Sequence, residues 1–81
     1  HVICSDDVYG GTFRLFDTVI KDKNIEFDYV DLTNIDALKS KIKSNTKLVW
    51  IETPTNPLLK IIDIQKVTEI CNPKNIWTVV D

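Results

Sequence analysis

The sequence predicts an α/β fold: a mostly parallel sheet layered by helices, with strand and helix alternating along the chain. Three observations lead there. Four short apolar runs are rich in β-branched and aromatic residues. Apolar residues at helical spacing separate each run from the next. The run Leu48-Val49-Trp50-Ile51 is apolar without interruption, as in a strand covered by helices on both faces.

The elements follow in order. His1 to Ser5 is the first strand, and Thr12 to Lys21 the first helix, with Phe13, Phe16 and Ile20 at helical spacing and Leu15 and Val19 beside them. Ile25 to Asp31 is the second strand. Ile35, Leu38 and Ile42 mark a second helix, for which Asn34 is available as N-cap. Lys47 to Glu52 is the third strand. Asp63 can cap a third helix whose apolar face is Ile64, Val67 and Cys71 and which Asn72-Pro73 ends. Ile76 to Val80 is the fourth strand. Parallel neighbours joined by helices imply right-handed crossovers. No repeat, linker or shift of composition divides residues 1–81.

Bulk properties bound the function. With 81 residues and 43% hydrophobic content, the chain suffices for one small domain or a piece of one. The net charge is −2 and Arg14 is the only arginine, so no basic stripe suits a phosphate backbone, which argues against nucleic acid. Every apolar stretch is far shorter than the roughly 18 residues of a spanning helix. No membrane association is expected, and the chain reads as soluble. Cys4 and Cys71 suggest neither a disulfide framework nor a metal site. They read as buried thiols in a reducing, cytoplasmic setting. A start at His1 without any methionine, and an end at Asp81 directly after an apolar run, lead us to expect a segment truncated at both ends.

In open α/β sheets, ligands sit beyond the carboxyl ends of the strands. That rule selects Asp6, Asp7, Tyr9, Gly10 and Gly11 after the first strand, Glu52, Thr55 and Asn56 after the third, and Asp81 after the fourth. The double glycine permits a tight turn or a close approach to a ligand, but it is neither a GxGxxG fingerprint nor a P-loop. Tyr9 is a packed aromatic or a platform for a planar ligand. Asp81 and Glu52 are each a loop cap or a charge held for a cationic partner. Asn56 lies between Pro54 and Pro57, which fix its backbone and so the direction of its amide. A cis peptide is expected at Thr53-Pro54 or Asn56-Pro57.

The stretches "DDVYGGT", "TKLVWIETPTNPLLKIIDI" and "VVD" together resemble the large cofactor-binding domain of the cystathionine γ-lyase group, the trans-sulfuration enzymes among the pyridoxal-phosphate enzymes of Cys/Met metabolism. The resemblance covers essentially the whole chain and implies a partial cofactor domain over residues 1–81. It implies that Tyr9 stacks on the pyridine ring of pyridoxal 5′-phosphate and that Asn56 hydrogen-bonds its phenolic oxygen. Asp81 would pair with the ring nitrogen and keep it protonated. Arg14 is given a supporting role near the active site, and Glu52 an orienting one. The family's cofactor-anchoring lysine is expected beyond residue 81, its glycine-rich phosphate turn before His1, and its substrate-carboxylate arginine in a later domain. The 81 residues alone are therefore expected to be inactive. The family further implies an amino-acid thioether substrate and a homotetramer. The wording "ETPTNP" after "KLVW" leans towards the γ-lyases among γ-synthases, β-lyases and methionine lyases. A rival reading takes Asp6, Asp7 and Asp81 as the magnesium-binding acids of a phospho-accepting signalling domain, which leaves YGGT and TPTNP unexplained.

Overall fold

A computed structural model describes residues 1–7, 10–20, 23–53, 58 and 61–81, the side chains of residues 19 and 20 excepted. The expectations for Tyr9, for Asn56 and for the two X-Pro bonds lie outside the described residues. Four strands form a single sheet: β1 (Val2–Ser5), β2 (Phe27–Val30), β3 (Leu48–Ile51) and β4 (Trp77–Val80). Their order is β2-β1-β3-β4, and every pairing is parallel. Each strand is slightly shorter than the apolar run that marks it.

Residues paired across parallel strands point to the same side of a sheet, so the register assigns the two faces. On one face lie Ile3, Val49 and Ile51, with Val30 of β2. They form one buried cluster with Leu38 of α2 (Ile35–Lys41), Val67 and Cys71 of α3 (Ile64–Cys71), and Leu32, Ile62 and Ile76. Burying each large aliphatic side chain stabilises the fold by about 1.5–3 kcal/mol. Both helices begin where their caps predict. The Asn34 side chain accepts the Ala37 N–H at 3.2 Å, and Asp63 accepts the Lys66 N–H at 3.2 Å. α3 ends at Cys71, where Asn72-Pro73 predicts, and passes into a 3₁₀ turn, Asn72–Lys74. Proline is tolerated there because the first turn of a helical segment needs no donor from it. Asn75 then takes a left-handed conformation, φ 57°, and the Ile76 N–H closes on the Cys71 carbonyl at 3.1 Å. Of the expected apolar face, Val67 and Cys71 are buried but Ile64 is exposed; Ile62, ahead of the cap, fills the core instead.

The opposite face is thinner. Here α1 (Gly10–Arg14) continues as a π-helical segment, Leu15–Ile20. Both glycines are therefore helical residues. Gly10 keeps an ordinary φ, and the tight turn expected of it does not form. Phe16 stacks on Phe27 with ring centroids 4.9 Å apart, meets Trp50 edge-on at 5.3 Å, and buries Cys4. Phe13 packs on Tyr29 at 5.3 Å yet stays half exposed, as does Leu15. Cover is complete over Val49 and Ile51, which face α2 and α3, but only partial over Leu48 and Trp50 on the other face and over β4. That strand pairs only with β3 and leaves Trp77 76% exposed.

At the amino ends of the strands, His1 joins three segments. Its ring lies 2.7 Å from Thr46 Oγ1 through Nδ1 and 2.7 Å from Asp28 Oδ2 through Nε2. Among the described residues, no helix is long and apolar enough to cross a membrane.

Candidate functional site

The chain leaves β1 towards β2 on one side and leaves β3 towards β4 on the other. The carboxyl ends of β1 and β3 therefore flank a topological switch point, where open α/β sheets hold their ligands. Side chains from these ends fasten the crevice. Ser5, fully buried, accepts the Glu52 N–H through Oγ at 3.2 Å and donates to the Trp50 carbonyl at 3.4 Å. Main-chain bonds carry the ladder one residue further on either side: Asp6 N–H to the Val30 carbonyl at 2.9 Å, and Asp81 N–H to the Ile51 carbonyl at 2.8 Å.

Two further bonds shape the connection after β3. Thr53 Oγ1 accepts the Ile62 N–H at 3.1 Å, closing its base. Asp7, 9% exposed, accepts the Leu58 N–H through Oδ2 at 2.7 Å, reaching it from the β1 end. Glu52, 5% exposed, accepts the Trp50 indole N–H at 3.2 Å. That bond ties Glu52 to a β3 residue two positions before it. Burial, and then the Glu52 carboxylate, push the Cys4 thiol up to about 12, so this cysteine is a protonated core group and no nucleophile. Burial raises the Cys71 thiol too.

Of the residues singled out from sequence, the structure brings Asp6, Asp7, Glu52 and Asp81 to one end of the sheet. Asp81 is exposed on a backbone held by β3. Arg14 is exposed at the end of α1, where its carbonyl accepts the Thr18 hydroxyl. Tyr9 and Asn56 lie outside the described residues. The magnesium reading finds no support. β3 stands between Asp6 and Asp81, a separation of two strand spacings, or about 9–10 Å. Among the described residues, no three acidic, histidine or cysteine side chains gather as a metal site. A concavity of about 540 Å³ opens elsewhere, beside the β4 edge, lined by Thr68, Asn72, Asn75, Ile76, Trp77 and Thr78. Its lining carries no charged group.

Sequence reasoning missed the parts played by Ser5, Thr53 and Asp7. A signal for two of them was present: continuing the strand alternation from Ile3 puts Ser5 and Asp7 on the buried side and Asp6 outside.

The matches to known proteins converge on one family. Residues 1–81 match the family model described as Cys/Met metabolism PLP-dependent enzyme, PLP being pyridoxal phosphate. The chain is 51% identical over its full length to a probable cystathionine gamma-synthase from Herpetosiphon aurantiacus, of which it covers 25%. It is also 51% identical to a cystathionine beta-lyase from Lactococcus lactis subsp. cremoris, of which it covers 21%. Its fold superposes on the crystal structure of cystathionine gamma-lyase from Lactobacillus plantarum complexed with L-serine, with a TM-score of 0.98 and 41% identity over all of this chain and 21% of that one. The chain thus spans about a fifth to a quarter of the length of the curated relatives it matches. It belongs to the Cys/Met metabolism PLP-dependent enzyme family.

Proposed function

We propose that this chain, as a member of that family, forms one wall of the cofactor pocket in a longer pyridoxal-phosphate enzyme that works on the carbon–sulfur bond of an amino-acid thioether such as cystathionine. The observation that carries this reading is spatial. β1, β3 and β4 are consecutive parallel strands of the sheet; in sequence YGGT comes after the first, TPTNP after the second, and VVD closes the third.

In this reading residues 1–81 are part of the large, cofactor-binding domain. Tyr9 offers an aromatic face to the cofactor ring, and Asn56 donates its amide to the phenolic oxygen. Asp81 holds a proton at the ring nitrogen by placing a negative charge beside it. Arg14 adds a supporting positive charge on the α1 side. When bound, the cofactor supplies an electron-accepting ring beside the substrate α-carbon. The assembly is a cytoplasmic homotetramer.

Within the family we favour a cystathionine γ-lyase, releasing cysteine, 2-oxobutanoate and ammonia, on the wording of ETPTNP after KLVW. The test is to purify the full-length protein, record its visible absorbance, and identify the products from cystathionine. Bound cofactor and 2-oxobutanoate are expected. Pyruvate with homocysteine would transfer the assignment to a β-lyase, and absence of bound cofactor would overturn the reading. In the same protein, Asp81→Ala is expected to lower kcat by about 100-fold or more, since a charge fixed for the reacting system is lost. Turnover at the wild-type rate would remove Asp81 from the site.

A further inference from the structure

Two walls of the crevice come from distant stretches of chain, and their separation needs something to fix it. Ser5 fixes the strand ends themselves, and the Thr53–Ile62 bond closes the base of the connection after β3. Among the described residues, neither bond joins the end of β1 to Leu58, inside that connection. The Asp7–Leu58 bond does, spanning 51 positions of sequence. Asp7 stands two residues before Tyr9, and Leu58 stands two residues after Asn56.

From this bond we infer that Asp7 is a positioning residue for the cofactor: its carboxylate ties the end of β1, two residues before Tyr9 in sequence, to the connection after β3, two residues after Asn56. The inference rests on the function proposed above. Three features favour it. An ionised acceptor makes a stronger hydrogen bond than a hydroxyl, and the 2.7 Å of Asp7–Leu58 is shorter than the 3.1–3.4 Å bonds of Thr53 and Ser5. Asp7 is nearly enclosed, so water competes little for the bond. Its donor is a main-chain N–H, so the bond holds the connecting backbone itself and not a side chain that can swing away.

The experiment uses full-length protein carrying Asp7→Ala or Asp7→Asn, with pyridoxal 5′-phosphate as the probe. Cofactor affinity and visible circular dichroism are read alongside the unfolding midpoint. Dichroism reports how the bound ring is held, which a loss of stability alone does not alter. Loosening a positioned group by about 1 Å costs on the order of 100-fold in rate. Asp7→Ala is therefore expected to weaken cofactor binding about tenfold or more and to change the dichroic band. Asp7→Asn, which retains an oxygen acceptor without the charge, is expected to fall between it and the wild type. Where the alanine variant does not fold, the asparagine variant decides alone. Wild-type affinity and dichroism in every variant that folds would overturn the inference. A wild-type protein that binds no pyridoxal 5′-phosphate strikes the proposed function instead, whatever the variants do.

Discussion

The two faces of the sheet are built to different standards. Under α2 and α3, ten buried residues form one continuous apolar cluster, and each helix starts on a side-chain cap. Under α1, among the described residues, Cys4 and Phe16 form the buried cluster, with Phe27, Tyr29 and Trp50 half covered around them. The difference teaches that strand alternation alone does not finish a face. A face is finished by the number of helices laid across it, and among the described residues two helices serve one side while one short helix with a π segment serves the other. Aromatic rings compensate in part, since each one covers more area than an aliphatic side chain.

The sharpest way to break this comparison is to truncate one core residue on each face of the full-length protein. Leu38→Ala is expected to cost about 2–5 kcal/mol, because its enclosed site cannot collapse. Phe16→Ala, among half-exposed rings free to close in, is expected to cost about 2 kcal/mol, below the usual 3–5 for a buried phenylalanine. Equal losses in chemical denaturation would show the α1 face to be as well enclosed as the other.

A graded effect comes from alkali. The Cys4 thiol lies at about 12 in the fold against an ordinary 9.0. Below pH 9 it is protonated in both states and its contribution is intact. Between pH 9 and 12 the unfolded chain releases the proton first, so stability falls by about 1.4 kcal/mol per pH unit from this group. Cys4→Ala is expected to flatten the alkaline limb of the stability curve, and an unchanged slope would put Cys4 in contact with solvent. The smallest effect is a cap: Asp63→Ala is expected to cost about 1 kcal/mol, measured by the same denaturation, by orphaning the Lys66 N–H at the start of α3.

Much of this was legible in the sequence because it is local. Asn34 and Asp63 act through N–H groups three residues away, and Leu38, Val67 and Cys71 declare themselves by a 3.6-residue period that any helix of that sequence must respect. The strand ends were legible by the same logic, and so were Asp6, Asp7, Glu52 and Asp81 as a group. The start of α1 was not. Glycine has low helix propensity, so Gly10 and Gly11 read as a turn, and packing of the Phe16 face against Cys4 and Phe27 outweighs that preference.

The sequence by itself thus determined the alternation of strands and helices, the caps, the apolar faces and the motifs that mark a family, all of which depend on neighbours within a few residues. Tertiary structure alone decided which strands are adjacent, that β4 lies at an edge with Trp77 open, and that Asp7 reaches Leu58. Those depend on chain segments tens of residues apart meeting in space, and no short-range period records such a meeting.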